Sequence, residues 1–139
     1  MPATPHPAAR HFIVAFCAAL LTFLLLDAGW LTAMSARLYR PAIGPILRTD
    51  FDGFAAAMFY LLYIAGLVFF VIAPAQDGRR VIRRGAFFGL VCYGAYDLTN
   101  QATIVGWSWR VTLADLAWGA LVTAISAWVA QRAARKWRW

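Results

Sequence analysis

Apolar residues in this chain are gathered into four long runs, and alternation of apolar and polar residues is absent. The runs cover residues 12–34, 54–73, 85–105 and 111–131. Each is close to the ~20 residues that an α-helix needs to cross about 30 Å of hydrocarbon. Because lipid offers the backbone no hydrogen bonds, segments of this length must pair their peptide groups internally, as a helix does. The pattern predicts an all-α fold, a four-transmembrane-helix bundle that forms a single integral membrane domain over residues 1–139.

The composition also indicates a membrane protein. Of the 139 residues, 63% are hydrophobic and 16% are aromatic, which is too apolar for an ordinary soluble chain of this length. The formal net charge is +7, but the basic residues stand at the ends of the apolar runs and not along a soluble face. We therefore expect the lipid bilayer as the main partner, and no nucleic acid.

Sulfur and imidazole chemistry have little support in the sequence. Cys17 and Cys92 both fall inside apolar runs, and His6 and His11 stand near the first run, far from other strong ligands. This spacing gives neither a disulfide framework nor a metal site. We predict no metal centre, and the residues indicate no particular cofactor.

Basic residues are distributed unequally between the two ends of the runs. Nine of the 13 Lys and Arg residues fall in the N-terminal tail, the second connection and the C-terminal tail, and four fall in the other two connections. Because cytoplasmic segments carry the excess of Lys and Arg, both the N and C termini are predicted to be cytoplasmic. The blocks at residues 79–84 and 132–138 are expected to bind anionic lipid headgroups on that side.

The first run and the connection after it have distinct features. The run is too long for a secretory signal and carries Asp27, so we expect an uncleaved span. The following connection, residues 35–53, is the long outer loop. Pro41 and the Gly44-Pro45 pair predict a short interfacial turn of helix, broken by prolines, that forms a lid over the outer end of the bundle.

Three of the six carboxylates lie inside the predicted spans. Asp27 is in the first, Asp97 in the third and Asp115 in the fourth. Each costs roughly 2.5–3.5 kcal/mol at a helix centre. A rise of ~1.5 Å per residue places them about 10, 13 and 6 Å below the outer ends of their helices, so all three are expected in the outer half of the membrane.

Tyrosines, an amide and a tryptophan accompany these carboxylates at helical spacing. Gly119 on the fourth run would let another backbone approach closely. We expect the polar faces to converge as a site for a small ligand, a proton or a cation. The candidate site residues are Asp27, Tyr60, Tyr63, Tyr93, Tyr96, Asp97, Asn100, Asp115 and Trp118.

A structural alternative accounts for the same residues. Buried Asp and Asn often join transmembrane helices through hydrogen bonds worth about 0.6 kcal/mol each. Asp27 and Asp115 each begin a D-x-x-W sequence, which ends at Trp30 and Trp118 on helices of opposite direction; chance can produce this. Both the functional cavity and the helix-joining role stay open at this point.

Four strings carry a family resemblance. They are LLDAGWL from Leu25, FYLLYIAGLVFFVIAPA from Phe59, YDLTNQATIVGW from Tyr96 and DLAWG from Asp115. Together they resemble a bacterial family of predicted membrane proteins catalogued as domain of unknown function 2177, over nearly the whole chain. The resemblance implies a small multi-pass protein of the bacterial inner membrane and supplies no substrate.

Three functions fit the sequence. The first is binding or transport of a small ligand, proton or cation through the Asp/Asn/Tyr cluster; because four spans are few for a transporter, this function favours a homodimer. The second is a membrane enzyme, or an accessory factor, in envelope lipid or fatty-acid modification, with an Asp as general acid or base. The third is a structural or assembly partner of another membrane protein. The sequence does not decide whether the chain is an enzyme.

Overall fold

The computed structural model describes residues 7–75 and 77–137. None of the residues in these two ranges forms a β-strand, so the all-α prediction is confirmed for them. His6, Arg138 and Trp139 lie outside the described residues. The helices are α1 (Pro7–Met34), α2 (Arg40–Ile43), α3 (Gly53–Leu67), α4 (Gly78–Thr103) and α5 (Trp109–Ala134).

Three helical segments in the described ranges are long and apolar enough to cross a membrane. They are Ala8–Ile46, Gly53–Ile72 and Trp109–Trp137. The predicted third span lies in α4, which is not among them. Arginines in the first two turns of α4 and polar residues from Asp97 to Gln101 near its end both lower the hydropathy of this helix.

Short polar residues begin three of the helices. Asp52 at the start of α3 and Asp77 at the start of α4 each accept a hydrogen bond from the backbone N–H three residues later, at 3.0 and 2.8 Å. Ser108 accepts one from the N–H two residues later at the start of α5, at 3.2 Å. Such caps satisfy N–H groups that the helix itself leaves unpaired, so two of the six carboxylates serve to start helices.

The connection predicted as a long outer loop is largely helical. A π-helical turn (Ser35–Tyr39) follows α1 directly, and α2 and a 3₁₀ turn (Gly44–Ile46) continue it. Pro41 lies in the first turn of α2, directly after the π-helical turn, so the chain stays helical at Pro41 although proline has no N–H to donate. The α-helical backbone is interrupted at Ile43 (φ −134°, ψ 14°), immediately before the Gly44-Pro45 pair. In this connection the backbone without helical structure is confined to residues 47–52.

The backbones of α4 and α5 nearly touch where these antiparallel helices cross. A Cβ added at Gly89 would lie 2.1 Å from the carbonyl oxygen of Gly119 and 2.6 Å from Oγ1 of Thr123. A Cβ added at Gly119 would lie 2.3 Å from Cγ of Tyr93. The close approach expected at Gly119 is therefore found, and Gly85 and Gly89 supply the small residues, four apart, that such a crossing needs.

The helix ends define two ends of the bundle. His11 Nδ1 lies 3.3 Å from the carbonyl oxygen of Ala134, and Gly78 lies beside Trp128. The start of α1, the start of α4 and the end of α5 thus meet at one end, here called the terminal end. The opposite end, here called the loop end, carries the connections at residues 35–52 and 104–108.

Candidate functional site

A half-open cavity of about 830 Å³ lies at the loop end of the bundle. Its walls come from α1, the 35–52 connection, α3, α4 and α5. The volume is in the range of sites for drug-sized ligands. Seven of the nine candidate residues line it: Asp27, Tyr63, Tyr93, Tyr96, Asp97, Asp115 and Trp118.

Asp27 is held by donors from two other helices. The Tyr60 hydroxyl on α3 donates to Asp27 Oδ2 at 2.6 Å, and the Trp118 indole N–H on α5 donates to Asp27 Oδ1 at 3.1 Å. Both carboxylate oxygens of this buried residue are thereby satisfied. Asp27 therefore joins α1, α3 and α5, as the helix-joining alternative requires.

Asp115 is held by a chain of two hydrogen bonds. The Tyr39 hydroxyl, on the π-helical turn after α1, donates to Asp115 Oδ1. The Trp30 indole N–H in turn donates to the Tyr39 hydroxyl oxygen at 2.8 Å. The chain orients Tyr39, because its oxygen accepts one hydrogen bond while its proton is committed to Asp115. Asp115 therefore ties the start of α5 to the end of α1.

Asp97 differs from both of these carboxylates. Its exposed fraction is 0%, and no donor group among the described residues hydrogen-bonds to either of its oxygens. It lines the cavity, and the polar group within reach of its carboxyl group is another acid, Asp115. Buried polar groups are nearly always hydrogen-bonded, so an unpaired one requires a specific explanation.

The tyrosines take different positions around the cavity. The Tyr63 hydroxyl lies 2.7 Å from Thr123 Oγ1, which joins α3 to α5 below the cavity. Tyr93 covers Gly119 at the helix crossing. Tyr96, which is more than half exposed, meets the Trp107 ring edge to face with centroids 5.8 Å apart. Only Tyr63 and Tyr93 lie deep in the bundle.

Two candidate residues are not on the cavity wall. Tyr60 does not line the cavity but donates its hydroxyl proton to Asp27, which does. Asn100 lies one turn beyond Tyr96, towards the end of α4. Two arginines near the loop end, Arg40 and Arg110, are exposed. The ion pairs found in the described part of the chain are Arg48–Asp50 and Arg80–Asp77, so none involves a cavity carboxylate.

Sequence reasoning missed the residues that complete the site. Trp30 and Tyr39 line the cavity, as does Trp107, whose indole N–H donates to Thr112 Oγ1 at 3.0 Å. Thr112 donates in turn to Gln101 Oε1 at 3.1 Å, which closes the turn between α4 and α5. The paired D-x-x-W sequences were the available signal for Trp30, and nothing in the local sequence marked Tyr39.

A second cavity of about 520 Å³ lies at the terminal end. Arg79, Arg132 and Arg135 line it, together with Asp77 and the nearly buried Gln131. The Arg132 guanidinium stacks over Trp128, 5.0 Å from the ring centroid. This end therefore gathers cations from α4 and α5 into one basic surface.

Comparison with known proteins gives one match. A family model described as "Predicted membrane protein (DUF2177)" matches residues 12–131. No match was found among curated proteins, and none among solved structures.

Proposed function

We propose that this chain, which belongs to the DUF2177 family of predicted membrane proteins, binds a small ligand in the loop-end cavity. The observation that supports this proposal is Asp97, a fully buried carboxylate that accepts no hydrogen bond from a donor group of the described residues, on the wall of a cavity of about 830 Å³. An ionised carboxylate in such surroundings is costly unless it is paired. A ligand that supplies the missing donor accounts for its presence.

The three carboxylates divide between two roles in this proposal. Asp27 and Asp115 hold helices together, since each already accepts hydrogen bonds from the protein. Asp97 accepts no hydrogen bond from a donor group of the described residues, and its carboxyl group lies beside that of Asp115. The ligand-binding role therefore rests on Asp97, while Asp27 and Asp115 shape the cavity wall and add acidic groups to it.

The proposal includes a four-span topology. The part of α4 beyond the arginine block, residues 85–103, has no Lys or Arg and would extend about 28 Å at the rise of an α-helix, close to the hydrocarbon thickness. Its polar residue Asp97 is buried within the bundle and not turned outward. These features support α4 as the third crossing, despite its lower hydropathy.

The proposed orientation places the terminal end in the cytoplasm. The arginines at the start of α4 and those at the end of α5 share this end, and Arg10 stacks over Trp137 there, 5.3 Å from the ring centroid. Such a surface suits the anionic headgroups of the cytoplasmic leaflet of a bacterial inner membrane. The ligand cavity would then open on the outer side.

Binding accounts for the cavity better than continuous passage across the membrane does. Below the Tyr63–Thr123 hydrogen bond, the side chains of Ile64, Leu67 and Val68 are fully buried. A core of this kind closes the cavity towards the terminal end. We therefore favour a receptor or carrier site over a pore.

Native mass spectrometry of protein purified from membranes in mild detergent tests the proposal. Wild type is expected to retain a small molecule that Cys92→Trp loses, because Cys92 lines the cavity and an indole at this position would occupy part of the ligand's space. Cys17→Trp makes the same change on an exposed face of α1 and is expected to retain the molecule. The proposal fails if all three proteins carry the same bound molecules.

A further inference from the structure

We infer that the ligand of the loop-end cavity is an amphiphile with a positively charged amine group, which pairs with Asp97. This inference rests on the proposed ligand-binding function and adds the chemical class of the ligand. The first argument is charge. Three carboxylates line the cavity, from Asp27, Asp97 and Asp115, and none of the lining residues is Lys or Arg.

The second argument is the state of these carboxylates. The protein supplies two donors to Asp27 and one to Asp115, and it supplies none to Asp97 in the described residues. An ammonium group offers up to three N–H donors and a charge of the required sign. A neutral hydroxyl would satisfy one oxygen of Asp97 and leave the charge unmatched.

The third argument is the aromatic wall next to these acids. Trp30 of α1 and Trp118 of α5 stack on each other, and Tyr93 of α4 also lines the cavity. Aromatic faces attract organic cations, and more strongly when water is excluded. Inorganic cations prefer several oxygen ligands at once, whereas an alkylammonium ion suits one carboxylate beside aromatic rings.

The fourth argument is the apolar remainder of the cavity. Leu31, Ile43, Leu47 and Phe51 line its loop-end side. On α3, Tyr63 meets the Phe88 ring of α4 with centroids 5.5 Å apart, whereas Phe59, one turn nearer the loop end, is 46% exposed. The apolar wall therefore continues to the lipid-facing surface beside α3, where an alkyl chain attached to the amine would lie.

Two sources share this chemistry, a membrane lipid with an ethanolamine headgroup and a free long-chain amine. Both place a primary ammonium at the end of an apolar chain. The test uses full-length protein in phosphatidylcholine nanodiscs, since that lipid has no primary amine. Dodecylamine, dodecanol and dodecanoate are the probes, and native mass spectrometry counts the bound molecules against empty nanodiscs.

Wild type is expected to bind dodecylamine at least tenfold more tightly than dodecanol or dodecanoate. Asp97→Asn should remove this preference, while Asp50→Asn should keep it. Asp50 is the matched control, because it is an exposed loop-end carboxylate paired with Arg48 and its substitution removes the same charge. The comparison among probes on wild type needs no variant, so it stands even if Asp97→Asn fails to fold.

The other outcomes separate the inference from the proposed function. If dodecanol or dodecanoate binds as tightly as the amine, and Cys92→Trp abolishes that binding, the cavity binds ligands but the amine class is wrong. If dodecylamine binds equally to wild type and a folded Asp97→Asn, the pairing with Asp97 is wrong. If no probe binds and no molecule is retained from membranes, both proposals are wrong.

A competition experiment distinguishes the two sources of the amine. Displacement of dodecylamine by lysophosphatidylethanolamine would identify a lipid headgroup as the source. Absence of displacement would identify a free amine, and either result supports the inference.

Discussion

The indole rings of Trp30 and Trp118 lie almost parallel, with centroids 4.6 Å apart and 7° between the ring planes. These residues end the two D-x-x-W sequences, and because α1 and α5 are antiparallel, each tryptophan faces the acid of the other motif. Trp118 donates directly to Asp27, and Trp30 reaches Asp115 through the Tyr39 hydroxyl. The repeated sequence that chance could explain thus forms a reciprocal brace between two helices.

Replacement of Trp118 by Phe tests this brace. The substitution keeps an aromatic ring but removes the N–H donor to Asp27, which leaves one buried acceptor unsatisfied. We expect a loss of about 1–3 kcal/mol in the free energy of unfolding, measured by reversible SDS unfolding in mixed micelles. Trp109→Phe, at a position that is more than half exposed, should change it by less than about 0.5 kcal/mol. Equal effects of the two substitutions would rule the brace out.

Asn substitution should distinguish Asp97 from Asp27. An Asn side chain has a single acceptor oxygen, so Asp27→Asn can keep the bond from Trp118 while its NH₂ group turns towards the Tyr60 oxygen. The Tyr60 hydroxyl proton then loses its acceptor, and the protein is expected to be destabilised by about 1–3 kcal/mol. Asp97→Asn leaves no donor group of the protein without its acceptor and removes the repulsion between two neighbouring acids, Asp97 and Asp115. It should leave the free energy of unfolding unchanged or raise it.

Thermal unfolding in ligand-free nanodiscs is the measurement for this pair. If Asp97→Asn destabilised the protein as strongly as Asp27→Asn, Asp97 would be a structural residue. The carboxylate would then no longer support a ligand site.

The crossing of α4 and α5 is expected to tolerate no side chain at Gly89. A Cβ there would meet the backbone carbonyl of Gly119, which cannot rotate away. Gly89→Ala should therefore lower the free energy of unfolding by at least ~3 kcal/mol, the upper end of the typical cost of overpacking. Gly29→Ala in α1, where a Cβ would have no atom within 4 Å, should be neutral or stabilise the helix by up to ~1 kcal/mol. SDS unfolding of both variants checks the prediction, which fails if their stabilities are alike.

The two cysteines report whether water enters the cavity. Thiol modification proceeds through the thiolate, which needs a polar environment. Cys92 lines the cavity, while Cys17 lies on the exposed, lipid-facing side of α1. In nanodiscs, a charged methanethiosulfonate is expected to label Cys17→Ser, which retains Cys92, faster than Cys92→Ser, which retains Cys17. Mass spectrometry measures the labelling of each variant over time. Equal labelling rates would show that the cavity is dry or closed.

The sequence predicted the helices and most of the cluster because both depend on strong local signals. Runs of apolar residues identify helices, and an acid within such a run is rare enough to notice. The start of α4 was placed at residue 85 and lies at Gly78, because arginines end an apolar run without ending a helix. These arginines, together with the polar residues from Asp97 to Gln101, keep α4 from being counted among the apolar spans.

The positions of individual side chains were harder to predict. Tyr39 belongs to the connection in which only a short turn of helix was predicted, and its bond to Asp115 joins residues 76 apart in the chain. Tyr96 and Asn100 share a helical stripe with Tyr93, yet only Tyr93 is drawn into the α4–α5 contact, by the space at Gly119. Helical spacing identifies neighbouring side chains, but the packing partner decides which of them is buried.

The three cavity acids are all carried by α1, α4 and α5, whereas α3 contributes aromatic rings to the wall, from Phe59 and Tyr63. In the proposed complex, most of the apolar residues that face the tail lie on α3 and on the 35–52 connection, apart from the acids that select the headgroup. Relatives could change the length or bulk of the molecule they accept through substitutions in these two segments, while keeping the same polar chemistry. Diversification of this kind would leave the acidic positions fixed and concentrate variation on α3 and the connection before it.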